Sequence, residues 1–204
     1  MKDAAMTSCL IPLCAALALV IPLDAQAASQ NVSDLPGGHY VLDKRHANVI
    51  AKVMHMGVSL YVVRFNEMDA SFEYDPAHPE AARVQASVDP ASFDVNADYS
   101  KKFAEDFLSA SRFPKMSFAA TGVQKGAGNG GTMTGDLTFM GVTKPVTFDV
   151  TFVATGRSLL PPFRQTAGFS ATMKFKRSDF GSTYLNNVVG DEVTVEVEGE
   201  FDRQ

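Results

Sequence analysis

The residues with obvious chemical potential are four histidines, His39, His46, His55 and His78. His46 and His55 stand nine apart, so on one continuous strand they point to opposite faces. His78 lies between Asp75-Pro76 and Pro79 and reads as a surface-loop residue. No HxH, HExxH or CxxC spacing occurs, so the sequence assigns neither a metal site nor a resident cofactor. No GxSxG elbow occurs either. The RSDFG run at 177–181 carries the letters of the kinase magnesium motif without its HRD partner or phosphate-covering loop. GAGNGG at 126–131 lacks a following Lys-Ser or Lys-Thr and sits between strands, so it is a turn and no phosphate cradle. Asn31-Val32-Ser33 fits a glycosylation sequon, a three-letter pattern that matters only in a eukaryotic host. No catalytic residue is assigned, and the reading is of a protein that is not an enzyme.

The ends and the charge narrow the class. Lys2, an apolar run from Cys9 to Leu23 and a small-residue site at Ala25-Gln26-Ala27 have the order of a secretory signal peptide. The run is short for a membrane span of about 20 residues and holds Pro12 and Pro22. Cys14 follows Ile-Pro-Leu, which lacks the small residues expected before a lipidated cysteine. Residues 1–27 are therefore read as a cleaved signal, 28–38 as a flexible lead-in and 39–204 as one domain. The expected location is the periplasm, with no stable membrane insertion after cleavage. Removing 27 of 204 residues leaves 177, enough for a single sizeable core. Both cysteines leave with the signal, so the mature chain enters an oxidising compartment with no disulfide to form. It also loses one cation and two anions, and the net charge moves from −5 to −4. A mildly acidic chain without a basic run is a poor partner for nucleic acid.

The elements that remain are strands. Met133, Gly135, Leu137 and Phe139 alternate with polar neighbours, as do Val146, Phe148, Val150 and Phe152. Phe169, Ala171, Met173 and Phe175 repeat the pattern, and so do Val193, Val195 and Val197. A period of two means antiparallel strands with one dry and one wet face. Asp75-Pro76, Asp89-Pro90, GAGNGG and Pro161-Pro162 punctuate them, and Gly141 with Lys144-Pro145 is read as a reversal. Residues 57–63 are read as the start of a short helix. So are residues 98–110, where Phe103, Ala104, Phe107 and Leu108 share a face. One-sided strands in one domain pair as a sandwich or close as a barrel. The 15 Phe and 9 Met, with no Trp, suit a dry lining for a flexible apolar guest. On the residues alone, apolar-ligand binding in a β-barrel or sandwich is the default; an enzyme or a ligand-free structural module are the alternatives.

Several stretches in order resemble the YceI-like family of bacterial polyisoprenoid-binding proteins. Tyr40-Val41-Leu42-Asp43 precedes His46, and Val49, Ala51 and Val53 lead to His55 and Gly57. Ser92, the Phe103–Leu108 helix and SRFPKMSF (111–118) follow. The most specific part is GDLTFMGVTKPVTFDV (135–150), then Arg177-Ser178-Asp179-Phe180-Gly181 and Val189-Gly190-Asp191-Glu192-Val193. The chain departs from the family in its middle helix, where KKFAEDFL lacks a histidine, and at Ala51, where an aromatic is common. The resemblance implies an all-β fold, an eight-stranded antiparallel lipocalin-like barrel with one or two short helices. It implies a carrier holding a long polyisoprenoid or quinone-like lipid inside. The implied lining is Phe118, Leu137, Phe139, Phe148, Val150, Phe152, Phe169, Met173, Phe175 and Val195. Candidate head-group contacts are His46, Lys144, Arg177 and Asp179, with Arg177 and Asp179 read in the first place as fixing a turn by hydrogen bonds. The oligomeric state is left open, with a homodimer as one form.

Overall fold

The computed structural model describes residues 27–159 and 161–204. The segment read as a signal peptide, with Cys9 and Cys14, lies outside the described residues apart from Ala27. Ten strand segments and one α-helix follow in order: β1 Gly38–His55, β2 Ser59–Phe65, β3 Met68–Tyr74, β4 Arg83–Val88, β5 Phe93–Asp94, α1 Ser100–Leu108, β6 Met116–Lys125, β7 Gly130–Phe139, β8 Val142–Arg157, β9 Gln165–Lys176 and β10 Val189–Arg203. The sheet runs β1-β3-β4-β6-β7-β8-β9-β10 and closes because β10 pairs with β1 from Tyr40↔Arg203 to His55↔Val189. Those eight antiparallel segments are the staves of a closed barrel, as the alternation and the family resemblance require. Strand β2 runs on into β3 after Asn66-Glu67, and the two share β1: β3 pairs with Gly38–Val41 and β2 with Val49–His55.

Two turn readings change. Residues 57–63 begin no helix; they enter β2, with Tyr61, Val63 and Phe65 inward and Leu60 and Val62 outward. Apolar side chains on both faces hid the period of two, an ambiguity inherent to short apolar runs. The second change concerns Lys144-Pro145, which lies within β8 opposite Leu137 and Asp136. The reversal is the two-residue turn Met140-Gly141, with φ of 49° and 76°. Pro145 is tolerated because β8 pairs with β9 only from Asp149 onward, leaving its upper edge without a ladder to break. The helix at 98–110 forms as Ser100–Leu108, burying Ala104 and Leu108 and ending at Ser109 in the left-handed region.

The barrel is closed at one end by packed rings. Tyr40 stacks on Phe72 at 4.7 Å, Phe72 meets Phe169 and Phe201 edge-on at 5.5 and 5.2 Å, and Phe152 meets Phe169 at 5.5 Å. Tyr40, wholly buried, donates its hydroxyl proton to the Pro36 carbonyl at 2.7 Å. The lead-in, expected to be flexible, docks over this floor. Ser29 and Thr155 exchange two backbone hydrogen bonds of 2.8 Å, and Leu35 is 2% exposed. Two apolar residues in the lead-in, Val32 and Leu35, join the aromatic cluster, which a polarity average over the segment conceals.

Gly135 shows how tightly the wall is built. A Cβ there would fall 2.4 Å from the Ala119 carbonyl and 2.5 Å from the Phe118 ring. Gly135→Ala should therefore cost about 1–3 kcal/mol in urea unfolding, because backbone on one side and a core ring on the other cannot both retreat. Asp43, at the bulge where β1 passes from β3 to β2, supplies a pH signature. The Arg45 guanidinium beside it, with the Arg45 amide and His46, holds its carboxyl well below the usual carboxylate range. A depressed carboxylate stabilises the fold fully above the unfolded-state pKa of about 4 and loses that contribution as pH falls. Thermal unfolding of Asp43→Asn should show a lower midpoint than the parent at pH 7 and a smaller drop between pH 5 and pH 2.

Candidate functional site

Above the aromatic floor the inward side chains stop short of one another. They leave a cavity of about 440 Å³ that runs up the barrel axis. From Val193 to Phe201 along β10 the wall covers roughly 20 Å of axis, at ~3.3 Å per residue and ~40° of tilt. The lining is apolar through its depth. Val49, Ala51 and Val53 of β1, Val63 and Phe65 of β2, Phe118 of β6, Phe148 of β8 and Val195 and Val197 of β10 face it. Asp69 and Glu198 touch it through strands whose carboxylates point outward, to Lys44 and Ser170. The cavity reaches the surface beside α1, where its lining residues Tyr99 and Leu185 are 47% and 41% exposed.

Ser87 and Ser117 border the cavity in the ladder beside Asp69, and the other polar lining gathers at this mouth. His55 sits 5.8 Å from the Tyr61 ring, and Tyr99 borders the same opening. Burial, then the neighbouring Tyr99, pushes the Tyr61 phenol up, so the hydroxyl stays protonated at neutral pH. From Tyr99 a row of rings crosses the opening: Phe103 at 4.7 Å, Phe107 at a further 5.6 Å and Tyr184 at a further 5.0 Å. Ser182 donates its hydroxyl proton to the Phe107 carbonyl at 2.8 Å, which ties α1 to the segment before β10.

Arg177 fixes that segment. Its Nε donates to Gly190 O at 2.9 Å, Nη1 to Ser182 O at 3.1 Å and Tyr184 O at 2.9 Å, and Nη2 to Val189 O at 2.9 Å. Burial pulls its pKa down from the ordinary value, against a smaller opposing pull from Asp191. A neutral residue would leave four carbonyls short of a partner. Only a long, five-donor fork reaches all of them.

Of the residues expected in the lining, Phe118, Leu137, Phe139, Phe148, Met173, Phe175 and Val195 border the cavity. Val150 points inward but packs against the core without bordering open space. Phe152 and Phe169 belong to the floor, because a bulge between Phe152 and Ala154 and the Tyr40–Phe72 stack close the barrel at their level. Of the candidate head-group contacts only Arg177 reaches the cavity, with four of its five N–H donors already spent on backbone. His46 lies on the outside at the β1 bulge with Asp43. Lys144 and Asp179 form a 3.8 Å ion pair across the unpaired upper edge of β8, over the Phe139–Phe175–Phe180 ring cluster. The residues that sequence reasoning missed are His55, Tyr61, Tyr99, Phe103 and Phe107. Reading 57–63 as helical concealed Tyr61. The i, i+4 aromatic face of α1 was visible, but nothing local shows that it faces a cavity rather than a core. Among the described residues no cluster of His, Cys, Asp and Glu could hold a metal ion.

Comparisons agree with this architecture. The YceI-like domain profile matches residues 40–201. A UPF0312 protein of Shewanella sp. strain W3-18-1 is 38% identical over 170 residues, covering 81% of this chain and 82% of its own. A UPF0312 protein of Pseudomonas putida strain GB-1 is 38% identical over 146 residues, 70% of this chain and 75% of its own. The crystal structure of BcnA from Burkholderia cenocepacia superposes with a TM-score of 0.69 at 27% identity, covering 78% of this chain and 98% of that one. A polyisoprenoid binding domain from Saccharophagus degradans, implicated in plant cell wall breakdown, superposes with a TM-score of 0.60 at 14% identity, covering 83% and 100%.

Arg177→Met keeps the length of the stem and removes every donor. It should destabilise the protein by at least about 3 kcal/mol, measured by denaturant unfolding, since buried carbonyls are left unsatisfied.

Proposed function

The chain belongs to the YceI-like family, and from that premise we propose that it is a binding protein that carries a long apolar lipid inside its barrel. The observation that carries the reading is the interior itself: about 440 Å³ left open by the protein's own side chains, apolar through its depth and open at one end. That volume lies within the ~300–1,000 Å³ of small-molecule sites. A fold that needed only to stabilise itself would fill the space, since each unfilled methyl-sized void costs ~1 kcal/mol. The likeness to a polyisoprenoid binding domain supports a slender chain lipid, a polyisoprenoid or a quinone-like molecule, over a compact guest. Its tail would lie along Val49, Ala51, Phe118, Phe148 and Val195, driven by burial at about 25 cal/mol per Å². Its polar end would stay at the mouth with His55, Tyr61 and Tyr99, the place where hydrogen-bonding groups meet the cavity. The signal-like N-terminus supports the periplasm as the place of action. The confinement of titratable side chains to the mouth favours carriage over chemistry on the chain.

Native mass spectrometry of gently purified protein should show a bound long-chain lipid, and delipidated protein should take one up from detergent. Protein that repeatedly purifies empty and refuses polyprenols and quinones would overturn the reading. Ala51→Phe, placed on β1 between Val63 and Val195, should fill the middle of the cavity. It should weaken lipid uptake roughly tenfold or more while leaving the melting temperature unchanged or raised, the opposite of what a core-packing position would give.

A further inference from the structure

The β1–β2 hairpin carries no charged residue from Val53 to Val63. Half of that apolar content faces away from the cavity. Met54, Leu60 and Val62 on the outer face are 41%, 59% and 50% exposed, and Met56 and Val58 at the tip are 65% and 85% exposed. The turn does not ask for these residues. Met56 and Gly57 both have positive φ, 54° and 71°, with the Val58 amide donating to the His55 carbonyl at 3.0 Å. Such a turn favours Asn or Gly at its first centre, and a long side chain in the left-handed region is strained. The equivalent methionine in the Met140-Gly141 turn packs against the core, which accounts for it. Met56 has no such reason in its own fold.

Charge begins where the hairpin meets the barrel, and it begins with both signs. Lys52 pairs with Glu196 at 2.7 Å, and Arg64 lies opposite Asp94 in the β2–β5 ladder. Gly57 lies five positions beyond Lys52, roughly 15 Å along the strand. An interfacial element buries its apolar face about 5–10 Å deep. Seated that deep, the tip would leave this mixed-sign collar level with the alternating amines and phosphates of zwitterionic headgroups. The tip is also continuous with the mouth. The Met56 amide donates to the Val188 carbonyl at 2.8 Å, and Leu185 and Val188 line the cavity. Tyr99 and Tyr184, both about half exposed, stand where amphipathic rings settle at a lipid surface. A second copy of the chain fits less well, because five side chains on a convex tip fall far short of the ~20–30 residues a side of a stable interface.

We propose that the β1–β2 hairpin is a reversible membrane anchor, dipping Met56 and Val58 into a zwitterionic lipid surface so that the cavity mouth opens onto it. Its purpose rests on the lipid-carrier reading; its binding to membrane does not.

The test uses phosphatidylcholine–phosphatidylethanolamine vesicles with the chain and its Met56→Asp/Val58→Asp double variant, whose changes are exposed and leave the barrel intact by circular dichroism. The parent should co-sediment with the vesicles, and raising salt from about 0.1 to about 0.5 M should change this little, since the contact is apolar and the collar carries both signs. The double variant should bind at least roughly tenfold more weakly. It should also extract polyprenol from vesicles more slowly, while taking it up from detergent micelles as well as the parent. Equal vesicle binding by parent and variant, or none by either, overturns the anchor. So does a dimer in size-exclusion chromatography that the double variant dissolves while vesicle binding is unchanged. Hairpin-dependent vesicle binding by a protein that takes up no lipid even from micelles sustains the anchor and rejects the carrier.

Discussion

The ladder between β1 and β10 is the constraint on which the rest of the structure depends. It runs from one end of the barrel to the other and turns a twisted sheet into a ring. Once the ring is closed, the backbone polar groups of the staves are largely satisfied by their neighbours. The interior then does not have to be packed solid to keep the wall together. A sandwich of the same strands would need its inner faces in contact. The closed ring can leave a long dry space unfilled.

That freedom is used unevenly along the axis. At the lower end Tyr40, Phe72, Phe152, Phe169 and Phe201 pack ring against ring, and Leu35 in the docked lead-in covers them. At the upper end the wall is less regular, because β8 leaves β9 above Asp149. Two devices secure the gap. The Phe139, Phe175 and Phe180 rings fill it, and Arg177 gathers the backbone of the 182–190 segment around one guanidinium. Rigid floor, stitched rim and open middle together make a container whose entrance lies beside α1 among the described residues.

The entrance concentrates what the walls lack. His55, Tyr61 and Tyr99 supply polar atoms, α1 supplies a row of rings, and the β1–β2 hairpin projects apolar side chains beyond the rim. A guest with a long apolar tail and a small polar end matches that division. So does a surface that offers such guests. The same short segment, 53–63, serves both: Val53, Tyr61 and Val63 line the cavity, while Met54, Leu60 and Val62 face outward.

Strand period reads an all-β wall from sequence alone, and the 135–150 signature gives the family and, through that resemblance, the barrel. Leu137, Phe139 and Phe148 line the cavity as their alternation requires, because a period of two assigns faces without knowledge of partners. What alternation cannot assign is height. Phe148 and Phe152 share a face and a residue type, yet one borders the cavity and the other builds the floor. That division depends on which rings arrive from distant strands at the same level. Sequence could read Arg177 as a turn-fixing residue but not name its four carbonyl partners, which only the 177–190 fold brings together, nor see that the aromatic face of α1 lies over an opening. Local periodicity determines which way a side chain points; only closure of the ring decides whether it meets another side chain or empty space.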